Sequence, residues 1–398
     1  MRAGPDGTRR VFSSRRKWDS LPNPLAALLS EKRKSGAAVL DLTESNPTHA
    51  GFAYPENEIL AALADPHAIR YDPDPRGLGS AREAVSHYYA ERGVEVPPSR
   101  IVLTASTSEA YSYVFKLLAD PGDEILVPRP SYPLFEYLAA LESVEVRQYA
   151  LRYDGAWHMD FGQLERLITP RTRAIVVVNP NNPTGSYLKR DEWERLQRLN
   201  VPVLSDEVFA DFAFSPDPQR MATLAGASRT PTFSMSGLSK VAGLPQMKLG
   251  WIVAGGPGHA AALEGLEWIA DTFLSVSTPV QMALPRLLAA GVTLQRQILE
   301  RTRANLDCLR GATGAGSAFR VLDVEGGWYA VLQVPRTLGE EEWTLDLLAQ
   351  RNVLVQPGFF YDFEAEAFLV LSLLTPPEVF AEGARRILGA KEMSLIGR

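Results

Sequence analysis

The chain has 398 residues, 45% of them hydrophobic and 22% charged, enough for a large buried core and for one large and one smaller domain. Its formal net charge of -6 argues against a general nucleic-acid surface, and no apolar run is long enough to span a membrane. Cys308 is the only cysteine, which excludes an intrachain disulfide, and the start lacks the apolar core of a signal peptide, so a cytoplasmic location is expected.

In chain order, the basic start (Arg9, Arg10, Arg15, Arg16, Lys17) reads as a loosely packed N-terminal arm. Pro24 to Lys34 reads as a helix, and Val39-Leu40-Asp41-Leu42 as a short strand leading to Ser45-Asn46-Pro47. Leu78 to Arg92 has the spacing of an amphipathic helix. Arg100 to Thr104 is a predicted strand, Ser108 to Leu118 a helix, and Glu124 to Val127 the next strand. Ala174 to Val178, Val201 to Leu204, Pro231 to Met235 and Trp251 to Val253 are further apolar strand-like runs. This alternation predicts an α/β fold with a large, doubly wound, mainly parallel sheet over residues 48–278. A helix from Val280 to Asn305, then strands Gly327–Leu332 and Phe368–Ser372, predict a smaller α+β domain over 279–398, completed by residues 1–47. The five histidines (His49, His67, His87, His158, His259) lack ligand-like spacing, so no metal site is expected.

Three segments carry chemistry. Asn179-Pro180-Asn181-Asn182-Pro183-Thr184-Gly185, Ser205-Asp206-Glu207-Val208-Phe209 and Ser236-Gly237-Leu238-Ser239-Lys240 each follow a predicted parallel strand. Ligands bind at such strand ends in open α/β sheets. Taken singly, the asparagines read as a polar turn, Asp206 as a helix cap and Lys240 as a surface charge. Together, an amide, a carboxylate and a lysine suit pyridoxal phosphate chemistry. The amine forms a Schiff base with the cofactor aldehyde, the carboxylate keeps the pyridine nitrogen protonated, and the amide donates to the phenolic oxygen.

On Asn-Asn-Pro-Thr-Gly, Ser-Asp-Glu-Val-Phe and Leu-Ser-Lys-Val-Ala-Gly-Leu-Pro, the chain resembles class I/II aminotransferases of the pyridoxal-phosphate fold type I superfamily, from about Asp41 onward. The resemblance implies Lys240 and Asp206 as catalytic residues and Asn182 at both cofactor and substrate. It puts the cofactor phosphate at Thr104 to Ala110, where Ser106 replaces the usual glycine and Thr107 and Ser108 follow. Small hydroxyl residues there leave backbone N–H groups free at a positive helix end. Lys248 stands in the place of a phosphate-binding arginine, keeping the charge but not the fork. The usual phosphate serine is Gly237, leaving Ser236 and Ser239 as neighbouring candidates. Tyr132 matches the ring that stacks on the cofactor. Tyr71 matches a tyrosine that reaches the partner's phosphate, which implies a homodimer with shared active sites.

Two departures bear on specificity. Phe209 stands where the family has a tyrosine; loss of that hydroxyl should raise the pKa of the lysine–cofactor imine. Val370 stands where an arginine grips the substrate carboxylate, with Arg15, Arg16 and Arg76 as candidate replacements. Ser45 replaces a glycine beside that carboxylate. Transamination between an amino donor and a keto acceptor is the first reading. Another pyridoxal-phosphate reaction, such as decarboxylation, elimination or oxidation, is the second. A non-catalytic sensor is the third, and the roughly 40 residues before Asp41 are few for a DNA-binding domain.

Overall fold

A computed structural model of the chain describes residues 13, 15, 23–314, 316–365 and 367–389. Of the basic start, only Arg15 lies within them. Helix α1 (Pro24–Lys34) begins where the Asn23 side-chain oxygen accepts from the Leu25 N–H and proline fills the first helical position. It ends on Lys32, Arg33 and Lys34, which suit the negative end of the helix dipole. Strand β1 (Leu40–Asp41) and helices α2 (Glu56–Leu63) and α3 (Gly79–Ala90) follow.

The chain then alternates through β2 (Ile101–Thr104), α4 (Thr107–Leu118), β3 (Glu124–Arg129), α5 (Phe135–Leu141), β4 (Glu145–Tyr153), β5 (Trp157–Met159), α6 (Phe161–Leu167), β6 (Thr172–Val178), α7 (Arg190–Arg198) and β7 (Val203–Asp206). Next come β8 (Thr232–Gly237), the four-residue α8 (Leu238–Val241), β9 (Gly250–Gly255) and α9 (His259–Phe273). Among the described residues these strands form one eight-stranded sheet in the order β2-β9-β8-β7-β6-β3-β4-β5. From β4 through β3, β6 and β7 to β8 every pairing is parallel; β2 and β8 pair antiparallel with β9, and β5 with β4. Both faces are covered, so the central strands are near-continuous apolar runs. One face presents Val176, Leu204, Phe233 and Ile252 to Val114 and Phe115 of α4 and Leu263 and Leu266 of α9. On the other face Leu103, Trp251 and Val253 meet Val85 and Tyr89 of α3.

Helix α10 (Thr278–Ala312) runs 35 residues and packs on α2, α3 and α8. It leads into β10 (Arg320–Val321), β11 (Tyr329–Gln333), α11 (Glu340–Arg351), β12 (Val353–Leu354), β13 (Gln356–Pro357), β14 (Phe368–Ser372) and α12 (Pro377–Leu388). A second, antiparallel sheet has the order β10-β11-β14-β13, and β1 pairs parallel with β12. The fold is therefore mixed α/β, with a large, mostly parallel sheet and a smaller antiparallel one.

The principal shift from the sequence expectation lies at the strand ends. β7 runs to Asp206 and β8 to Gly237, because Ser205 and Asp206 keep their register with Ser234 and Met235. Polar residues buried by neighbouring strands extend a strand that hydropathy alone would end earlier. Lys240 accordingly lies within the short helix α8 that follows β8 rather than at the strand's tip.

Candidate active site

Because β6, β7 and β8 run parallel and in register, the segments leaving them enter the same cleft. Asp206 closes β7 opposite Val178 and Met235, and its carbonyl accepts from the Asn179 N–H at 2.8 Å. Its carboxylate accepts from the Val208 N–H at 3.2 Å and from the Tyr111 hydroxyl at 3.1 Å. Burial nevertheless dominates and pushes the Asp206 carboxyl up to about 6, against those two donors and the nearby Lys240. Lys240 is affected in the complementary sense. Desolvation lowers its amine to about 8, and the Asp206 charge opposes the shift. Its Nζ lies 4.7 Å from the ring centroid of Trp328 and 5.7 Å from that of Phe209.

A four-residue helix has no stability of its own. The α8 segment is held from outside: the Tyr54 hydroxyl donates to the Gly243 carbonyl at 2.7 Å, and Gln295 Nε2 donates to the Val241 carbonyl. Gln295 also donates to Asp211 at 3.0 Å, and Asp211 accepts from Arg92 at 2.6 Å and Tyr88 at 3.1 Å. Beside Asp206, the buried Glu207 carboxyl is raised to about 6 by desolvation and accepts from the Leu224 N–H at 2.8 Å.

Ser106 caps α4, its hydroxyl accepting from the Glu109 N–H at 3.1 Å, while Ala105 N–H donates to the Glu109 carboxylate at 2.6 Å. The N–H groups of Thr107 and Ser108 open the helix without an acceptor among the described residues. Gly250 brings β9 against this turn: a Cβ there would lie 3.1 Å from the Ser106 carbonyl carbon. Ser239 is half-buried beside Lys240. Lys248 is exposed and left-handed at φ 49°. Asn182 is buried, and its side-chain oxygen has no hydrogen-bond partner among the described residues. An unpaired buried amide oxygen is an uncommon, costly arrangement, and a half-turn of the amide would put its NH2, a donor, in that place. Together with the open helix start, the acid and the amine, Asn182 in that orientation makes this set of groups fit pyridoxal phosphate.

Other candidates fall differently. The Ser236 hydroxyl is buried and directed at the Glu207 carbonyl, 3.4 Å away, so it is turned into the fold rather than toward an anion. Gly237, where a serine was expected, is crowded: a Cβ there would meet Gly250 Cα and the Leu249 carbonyl at 2.9 Å. Gly237→Ser should therefore destabilise the protein by about 1–3 kcal/mol, seen as a lower urea midpoint; an unchanged midpoint would contradict the crowding. The Arg76 guanidinium pairs with Glu267 of α9 at 2.5 Å, so a substrate carboxylate would have to compete with that acid. Arg15 donates to Ser143 at 3.0 Å, and Arg16 lies outside the described residues. Tyr71 is 78% exposed. Val370 is wholly buried in β14, between Val331 and Gln356.

Tyr132, named from the sequence, stands within electrostatic reach of Asp206, and burial raises its phenol. Several other residues escaped the sequence reading because they come from distant segments. The Tyr329 phenol is bonded to Ser45 and pushed up to about 12, mainly by burial. Tyr361 pairs with Gln356, and its carbonyl accepts from the Ser131 N–H at 3.0 Å. Just beyond, Glu364 pairs with Arg129 and Arg152. Among the described residues, no group of three or more His, Cys, Asp or Glu is placed to hold a metal ion, and no helix is long and apolar enough to cross a membrane.

The family model for aminotransferase class I and II matches residues 37–387. Tyrosine aminotransferase of Bos taurus is 28% identical over 406 residues, covering 95% of this chain and 90% of that protein. The glutamate-pyruvate aminotransferase of Escherichia coli strain K12 is 32% identical over 263 residues, 64% of each chain. Among solved structures, an Escherichia coli aminotransferase superposes with a TM-score of 0.84 at 25% identity, covering 96% of this chain and 98% of that one. The alanine aminotransferase of Pyrococcus furiosus gives the same TM-score of 0.84 and 25% identity, over 96% and 100% of the two chains. The family match embraces both the sheet and every residue of the cleft from Ser45 to Tyr361, and the chain belongs to the class I and II aminotransferases, a pyridoxal-phosphate-dependent family.

Proposed function

We propose that this protein binds pyridoxal phosphate through Lys240 and moves an amino group between an amino donor and a keto acceptor. The observation that carries this reading is the Lys240 amine, lowered to about 8 by desolvation, in one cleft with the buried acid Asp206 at the end of the neighbouring parallel strand. When bound, the cofactor supplies an aldehyde that captures amines and a pyridinium ring that withdraws electrons. Lys240 Nζ is the group that would hold the aldehyde carbon. Once released as the free amine, Nζ would take the proton from the substrate Cα and carry it as an ammonium until it is given up again. Asp206 would keep a proton on the ring nitrogen, and Tyr111 holds that carboxylate through its hydroxyl. Asn182 would donate to the phenolic oxygen and Tyr132 would cover the ring. The phosphate would be held by the Thr107 and Ser108 N–H groups, with Ser106, Ser239 and Lys248 as further candidates. Phe209 contributes a ring edge and no hydroxyl; Ser45, bonded to Tyr329, sits on the substrate side.

The same reading makes the active form a cytoplasmic homodimer. Tyr71 would enter the neighbour's site, and the exposed apolar side chains Ile69, Trp268 and Phe273 would be covered on association. We divide the chain into a cofactor domain, 48–278, and a smaller domain of 1–47 with 279–398, supported by the β1–β12 pairing. The relatives' names set the substrate panel. Tyrosine, glutamate and alanine serve as donors, with pyruvate as one acceptor, and the cofactor's absorbance is followed through each half-reaction. Donor-driven conversion to the amine form, reversed by a keto acid, is expected. Release of carbon dioxide or ammonia without that conversion would replace transamination with another reaction.

The amine's titration gives a separate expectation. Capture of pyridoxal phosphate by the apoprotein should quicken about tenfold per pH unit up to about pH 8 and level off above, because only the free base attacks. Stopped-flow absorbance measures this; a rate still climbing tenfold per unit at pH 10 would mean an ordinary, solvated lysine.

A further inference from the structure

Trp328 is among the most deeply buried large side chains of the chain, 1% exposed, and it is tied to no motif. It follows Gly327, whose φ of 85° turns the backbone into β11. Its ring meets Phe209 at 5.2 Å and Phe212 at 5.2 Å, both edge-on, so these two aromatics fix its plane. Its indole N–H has no hydrogen-bond partner among the described residues. The ring face is turned to Lys240, with Nζ 4.7 Å from the centroid. An ammonium at that distance over an indole is electrostatically favoured, more so where water is scarce. The face is thus in contact with the one side chain that must alternate between a bonded and a free state.

We propose that the indole face of Trp328 is the seat of the Lys240 amine whenever that side chain is released, favouring the ammonium it becomes on taking up a proton, which makes Trp328 a positioning residue for the reaction. This rests on the reading of Lys240 as the cofactor lysine. Phe209 forms the second, more distant wall at 5.7 Å. The charged and titratable groups around the seat are few. Asp206 at the end of β7 acts on Lys240 directly. Glu207 on the next residue is turned away into its bonds with Thr223 and Leu224. Tyr132 and Tyr329 present neutral phenols raised by burial. Asp206 and Trp328 therefore act together: both favour the cation, while burial opposes it. The seat keeps the freed amine in the buried cleft near Asp206 instead of letting it swing to solvent.

The test is the pH midpoint of Lys240 in the apoprotein, read by competitive acylation and peptide mass spectrometry. In Trp328→Leu the cation loses its ring, so the midpoint should fall by roughly 0.5 to 1 pH unit, and Trp328→Phe should recover part of the shift. Replacing Trp328 site-specifically by tryptophans of rising fluorine content keeps the shape and drains the ring face of charge. The midpoint should then fall stepwise with each fluorine, which guards against a leucine variant that fails to fold or admits water. A midpoint that stays put or rises across the fluorinated series overturns the proposal. Retention of pyridoxal phosphate by these variants, seen in their absorbance, reports on the cofactor reading independently, so the two can fail separately.

Discussion

Lys240→Ala is expected to abolish borohydride-trappable attachment of pyridoxal phosphate and to lower turnover by at least about 10,000-fold, because one amine serves as both nucleophile and base. Intact-protein mass after reduction is the direct measurement: wild type should gain the cofactor mass, the variant should not. A reduced adduct that survives the substitution would assign the chemistry to another lysine. The same change should not weaken the apoprotein at pH 7. The folded-state pKa of Lys240 lies below its ordinary value, so below about pH 8 the folded chain carries an ammonium that burial disfavours. Stability linked to this group rises as pH climbs from about 8 toward the ordinary lysine value, where the unfolded chain binds the proton and the folded chain does not. Alanine removes that liability, and urea unfolding at pH 7 should show an equal or higher midpoint.

Asp206→Ala is the second large effect. Without an acid below the ring nitrogen, abstraction of the substrate Cα proton should slow by about 100- to 10,000-fold, while some cofactor remains bound through Lys240 and the phosphate turn. Single-turnover loss of an α-deuterium separates this step from binding; an unchanged rate would remove Asp206 from its role. The sign of its linkage is opposite in charge but alike in consequence. The folded-state carboxyl is raised above its ordinary value to about 6, so the folded chain holds a proton that the unfolded chain has already lost. Stability is greater below the ordinary carboxylate range and falls as pH rises through about 6. The apoprotein thus harbours two ionisable groups that are poorly placed for stability and well placed for chemistry, the pattern expected of functional sites.

Much of this was legible in the chain because its clues are local. Asn23-Pro24 starts a helix by chemistry confined to two residues, and the predicted span Pro24–Lys34 is the observed one. The apolar run Phe368–Ser372 is likewise the strand itself. The three polar segments after parallel strands could be placed in one cleft because parallel strands in register end together. What stayed hidden depends on contacts across the sequence. Tyr111 looks like any aromatic on an amphipathic helix until its hydroxyl is seen against Asp206, 95 residues away in sequence. Trp328 reads only as a strand residue, since nothing near it in sequence marks it as facing Lys240. Arg76 had the right charge for a carboxylate, and only the fold reveals that Glu267 already holds it. Gly237 looked like a missing serine; the close approach of Gly250 explains the missing side chain.

The tether from Tyr54 to the carbonyl of Gly243 has a practical bearing on how this protein should be handled. A segment well upstream of the central sheet, together with Gln295 on the long helix, fixes the backbone that aims the reactive amine. Trimming the chain to its apparent catalytic unit would unmoor that backbone while leaving every motif intact. Such a fragment could keep its colour and still lose its accuracy.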